Sequence, residues 1–291
     1  MRRYGIALVK LACLSLLLVV FACNGDNGMT VTGPTPPASD GGGGSAAVGD
    51  VVRGGGLYDR WWTINRSSEP MGTHPAYPGS GQQSGSTTWR CKECHGWDYK
   101  GVDGAYGPGS SHFTGIIGIY GTTLNSQEMF DVIKNPDDVT VNGHDFGNIG
   151  LSDVDILDLV DFIENQLIDT NAFINPGAIF LGDEVDGGML YNGSAFCLSC
   201  HGGNGTSINF GSSEDPEYVG TIASDNPWEF IHKVRMGQPG SNMTSLIDYG
   251  GTNQQAANIG RYAQMSLTDG TLIFQDGFES GDTVGWSAVV P

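Results

Sequence analysis

The pentapeptides CKECH (residues 91–95) and CLSCH (residues 197–201) each set two cysteines three positions apart, with a histidine directly after the second. Of the six cysteines, Cys13 and Cys23 belong to an apolar N-terminal run, so the pentapeptides hold all the others. A local disulfide does not explain a histidine at the same place twice. A zinc site needs a second Cys/Cys or His/His half, and none follows near either pair. A thioredoxin-like redox pair belongs in a βαβ setting, which the flanking sequence lacks.

The pattern C-x-x-C-H resembles the attachment motif of c-type haem. On that resemblance Cys91, Cys94, Cys197 and Cys200 form thioethers to two haem c groups, and His95 and His201 are the proximal iron ligands. Glycine is 46 of 291 residues, about twice its usual share of about 7 %. A chain so rich in loops gains from a large group that fills its cores.

Two similar units surround the motifs. In the first, GGLYDRWWTIN is compatible with a helix, and the motif and a Gly-rich loop follow. NSQEMFDVIKN reads as a short helix capped by Asn125 or Ser126. LSDVDILDLVDFIENQL is the clearest helix, with a capping box from Ser152 to Asp155 and an apolar stripe through Ile156, Leu159, Val160 and Ile163. In the second, GGMLYNGSAF leads to the motif, NPWEFIHKVRMG reads as a helix with an early proline, and TNQQAANIGRYAQM closes the unit. The order helix, C-x-x-C-H, loop, helix, loop, helix resembles the class I cytochrome c fold, twice over. The expected architecture is all-α, with two tandem class I cytochrome c domains over 49–170 and 171–267, behind a flexible N-terminal tether.

In small cytochromes c the sixth iron ligand is usually a methionine in the loop before the last helix, and its identity tunes the potential. RMGQPGSNMTSL offers Met243 for the second haem, with Met236, which ends the preceding helix, as the weaker alternative. The corresponding loop of the first unit, KNPDDVTVNGHDFGNIGLSD, has no methionine and offers His144 instead; Met129, or an open position, is the alternative. His112 reads as a loop histidine or a partner for a haem propionate, and His74 and His232 as surface or packing residues. Trp61, Trp62, Trp89 and Trp97 are expected to wall the first haem.

Residues 1–23 carry Arg2, Arg3 and Lys10 around an apolar run that is too short for a strong membrane span, and read as an export signal. The ending VFAC resembles a bacterial lipobox, which implies lipidation of Cys23. Asn24, where inner-membrane retention uses aspartate, favours the outer membrane. Residues 24–48 form a Gly/Pro/Ser-rich linker. The formal charge of −19 becomes −22 once the three signal cations are removed, which argues against nucleic acid and anionic lipid headgroups as partners. Residues 268–291, TDGTLIFQDGFESGDTVGWSAVVP, belong to neither unit and read as a tail, either a short strand or a flexible end.

The resemblance implies an electron carrier with redox protein partners, tethered by lipid on the periplasmic side of a bacterial envelope. The competing reading is a di-haem enzyme that uses the first haem as its active site. Cytochrome c peroxidases pair unequal haems, and Glu128, Asp145 or His112 are the acid/base candidates. Thiosulfate dehydrogenases need a cysteine as distal ligand, and none is left over here. No catalytic residue is assigned.

Overall fold

A computed structural model describes residues 49–135 and 144–267. The export signal with Cys23, the linker up to residue 48, residues 136–143 and the tail lie outside the described residues. The helices follow in the order α1 (Val51–Ile64), α2 (Cys91–His95), α3 (Ser126–Lys134), α4 (Phe146–Ile149), α5 (Asp153–Asn165), α6 (Glu184–Met189, extended by a π turn), α7 (Cys197–His201), α8 (Val219–Asp225), α9 (Pro227–Met236) and α10 (Asn253–Ser266). Among the described residues there are no strands, only the isolated bridges Gly101–Ile117 and Ile174–Phe180. No helix among them is long and apolar enough to cross a membrane.

The longer helices begin where a side chain takes up N–H groups that a first turn leaves unpaired. The Asp50 carboxylate accepts from Val52 and Arg53 at the start of α1. Asn125 with Glu128, Ser152 with Asp155 and Thr252 with Gln255 form complete capping boxes on α3, α5 and α10. On α9, Pro227 occupies the first turn and Asn226 caps the N–H of Glu229.

The helix pairs α1/α5 and α6/α10 are built alike. A Cβ on Gly54 would meet the carbonyl of Asp158, and one on Gly187 would meet that of Asn258, so glycine lets each pair of backbones touch. The N–H of Asp50 donates to Asp158 Oδ1 at 2.7 Å, and that of Asp183 to Asn258 Oδ1 at 2.9 Å. Four residues beyond each glycine stands a tyrosine. Tyr58 donates its hydroxyl to Gly96 O (2.6 Å) and Tyr191 to Gly202 O (2.8 Å), in each case the carbonyl just after a motif histidine. Each helix pair therefore fixes the turn that carries a C-x-x-C-H.

A third contact joins α1 to α9. His232 is fully buried between the two sets of helices. A carbonyl can only accept, so Nε2–H donates to Gly55 O (3.1 Å) and Nδ1 accepts from the Tyr99 hydroxyl (2.9 Å). Burial drives this imidazole down to about 3, so it is neutral. Met236 packs directly on Gly55. Beside it the buried Asp59 carboxylate holds both Arg90 and Lys233. The core runs continuously through both sets, with Leu57, Ile156 and Phe162 wholly buried; each such side chain contributes about 1.5–3 kcal/mol.

Candidate cofactor site

The first motif forms the short helix α2, which ends at Gly96 with φ 79°, a left-handed turn that glycine adopts without strain. Cys91, Cys94 and His95 all face one cavity of about 240 Å³. Its other walls are mostly apolar and come from the loop at Ile116–Ile119, from α3 through Met129, Val132 and Ile133, and from Leu159 and Ile163 of α5. Opposite His95 stands His144. The two imidazole rings are 4° from parallel, with centroids 5.9 Å apart.

His95 Nδ1 lies 2.8 Å from the carbonyl of Ile117, to which it donates. That bond fixes the tautomer and leaves Nε2 with its lone pair, the arrangement of a metal-bound histidine supported from behind. Burial, with the neighbouring His95 and His74, lowers His144 to about 4. Burial also lowers His95, against the opposing effect of its bond to Ile117. Both shifts favour the neutral imidazole, the form that has a lone pair for a metal. His144 Nδ1 is buried without a partner among the described residues.

All four motif thiols are free. Burial, with mutual repulsion, pushes Cys91 up to about 12; burial pushes Cys94 to about 12 and Cys197 to about 11. A reactive redox pair needs lowered thiol pKa values, and burial moves these three the other way. Among the described residues no group of three or more His, Cys, Asp or Glu gathers as an ion-holding set.

The second motif forms α7 and ends in the same way, at Gly202 with φ 75°. It is more open. Cys200 is exposed, and Phe196, Phe210 and Tyr249 are 63 %, 44 % and 62 % exposed. Phe196 itself takes a left-handed φ of 58° immediately before Cys197. The His201 ring lies 5.8 Å from Phe210, with Nδ1 buried and unpaired. Met243 is half-buried in the turn after α9, its N–H on Ser241 Oγ at 3.0 Å. Nothing in the geometry of the described residues pairs Met243 with His201 as His144 is paired with His95. Met236 is taken up by its packing on Gly55.

Several side chains stand away from their expected places. Of the four tryptophans near the first motif, only Trp89 lines the cavity. Trp61 and Trp62 pack edge-on in the core, 5.5 Å apart. Trp97 lies under Arg90, Lys92 and Lys233, at 5.6, 5.3 and 5.2 Å. His112 donates to the buried Glu93 (2.8 Å), and Glu128 is engaged in the α3 cap. His74, which reads from sequence as a surface or packing residue, is buried in the cavity wall.

No family of known proteins matches the chain, and neither does any curated protein. Among solved structures, a chain of the Kuenenia stuttgartiensis reducing HAO-like protein complex matches over 61 % of this chain and 92 % of its own length. The identity is 13 % and the TM-score 0.24, a likeness too slight to carry an argument about fold or activity.

Proposed function

We propose that the protein is a di-haem c-type cytochrome that carries electrons, built from two class I cytochrome c domains over 49–170 and 171–267. The observation that carries this reading is the parallel pair His95 and His144 facing each other across an apolar cavity that Cys91 and Cys94 also line. Two metal–imidazole bonds of about 2 Å, plus about 1 Å from each nitrogen to its ring centre, span about 6 Å. The 5.9 Å between the rings fits an iron held on both sides. Cys91 and Cys94 would hold this haem through thioethers, His95 proximally and His144 distally. Cys197, Cys200 and His201 would hold the second, with Met243 as distal ligand.

A bound haem supplies reversible one-electron exchange at iron. The chain's own residues do the rest. The bond from His95 to Ile117 O holds the ring in the ligating tautomer, and Tyr58, through Gly96 O, holds the turn behind it. The isoleucines and leucines of the cavity exclude water and keep the site apolar. Two histidines on one iron and a methionine on the other would set the first potential below the second, so electrons settle on the second haem.

In this reading Cys23 carries lipid and residues 24–48 tether the pair to the periplasmic face of an envelope membrane, the outer one by the residue after Cys23. The acidic surface suits a basic redox partner.

The test is covalent haem staining and a spectroelectrochemical titration of the anchor-less chain matured with haem-attachment machinery. Two haem equivalents are expected, one of them lost in Cys197→Ser/Cys200→Ser. Two low-spin reversible transitions without carbon monoxide uptake identify a carrier. Retention of both equivalents in that variant would sink the attachment assignment.

A further inference from the structure

The first cavity contains a third histidine, His74, which ligation does not use. It sits on a segment that the second set of helices lacks: 33 positions separate Tyr58 from Cys91, whereas only six separate Tyr191 from Cys197. The side chain is 9 % exposed and lines the cavity. Its ring meets Trp89 edge-on at 4.4 Å, with Phe146 at 5.8 Å. Nδ1 accepts the N–H of Ala76 at 3.1 Å, so in the neutral ring the proton is on Nε2. That Nε2–H is buried and has no partner among the described residues.

A buried donor without an acceptor is costly and calls for one. The cavity wall is mostly apolar, and none of the described residues supplies that acceptor. Haem c, once its vinyl groups are consumed as thioethers, presents apolar edges everywhere except at its two propionates. Those carboxylates are its only strong acceptors.

We infer that His74 donates its Nε2–H to a propionate of the haem in the first cavity. The inference rests on the haem reading of that cavity. His74 is then a positioning residue that anchors the haem edge and spreads its negative charge away from the iron. It also gives the first site a polar contact that the second has no equivalent segment to provide.

The test uses the full-length holoprotein carrying Cys197→Ser/Cys200→Ser, so that only the first haem contributes. Two readouts are followed, the propionate bending band in resonance Raman and the midpoint potential. H74F keeps an aromatic ring against Trp89 and removes the donor, whereas H74Q keeps an N–H at similar reach. The expected result is a shifted band in H74F and a reduction equilibrium weakened by up to about tenfold, ~59 mV for a one-electron couple, with H74Q close to its parent. An unshifted band and potential in H74F overturn the inference, since His74 then only fills space. Equal shifts in both variants overturn it too, because ring packing and not the donor would set the band. Should H74F fail to fold, the parent is transferred to D2O, where a propionate band that does not move overturns it. A parent without covalent haem overturns the haem reading itself, and staining reveals that before any spectrum is taken.

Discussion

Lys233 of α9 sets its ammonium on the carboxylate of Asp59 in α1, across 174 positions of sequence. Arg90, one residue before the first motif, takes the other oxygen of the same carboxylate. One buried anion therefore joins the two sets of helices and anchors the start of α2. Removing one member of a buried ion cluster leaves its partners charged and unpaired, at a cost of about 3–5 kcal/mol. Asp59→Ala should lower the stability by that amount in guanidinium denaturation; a loss below about 1 kcal/mol would show the joint to be dispensable.

The same joint fixes the response to acid. Burial alone would raise the Asp59 carboxyl, but Lys233 and Arg90 outweigh it and hold it at about 2, against an ordinary 3.8. Its contribution of about 2 kcal/mol, at 1.36 kcal/mol per pKa unit, is whole above pH 4 and lost as pH falls towards 2. His232 acts earlier. Burial puts its folded pKa at about 3 against 6.5 unfolded, so the unfolded chain binds the extra proton and stability declines as pH falls from 6.5 towards 3. His232→Gln should flatten that decline whatever it does to stability at neutral pH, read by circular dichroism across pH 7 to 3. An unchanged slope would mean that the imidazole is not buried neutral.

Gly54 and Gly187 should behave as a matched pair. A methyl at either position meets a backbone carbonyl of the facing helix, which can yield only if the helices separate. Gly54→Ala and Gly187→Ala are each expected to cost about 1–3 kcal/mol. Gly193 faces open space, and Gly193→Ala should stay within about 0.5 kcal/mol. Thermal melts of the three variants decide this, and equal melting temperatures would contradict the close approach.

On the haem reading, His144→Ala opens one coordination position of the first iron. The reduced variant should show a high-spin component and take up one equivalent of carbon monoxide where the parent takes none. If it stays low-spin, another side chain ligates the first iron, and Met129 in the same wall is the next to change.

Local signals were readable in the sequence. The acid or amide three residues after Asn125, Ser152 and Thr252 marks three helix starts, because a cap needs only its own first turn. The repeat was legible more finely than by helix order: G-D-x-V-x-G-G-x-L-Y runs from Gly49 to Tyr58 and again from Gly182 to Tyr191. It carries the glycines, the aspartates and the tyrosines that build both helix pairs. What the sequence hid is what depends on distant partners. His74 precedes a proline and His232 precedes a lysine, so both read as surface or packing residues, yet the partners of His232 lie 133 and 177 positions away. Trp97 is two residues from His95, but the turn at Gly96 sends it to the cationic cluster and away from the cavity.

The repeat places Asn192 where the first set has Asp59, and Gly188 where it has Gly55. The equivalence stops there: Gly55 receives Met236 of α9, whereas Gly188 faces Tyr262 of its own set, and Asn192 turns its amide to Gly188 O. Each half keeps the means to close on itself, but only the first carries the socket for the other. The halves are thus alike in construction and fixed in rank. A chain with their order exchanged by permutation could keep the joint, because its contacts are the same in space. One made from two copies of the second half would form both helix pairs and have nothing to fasten them together.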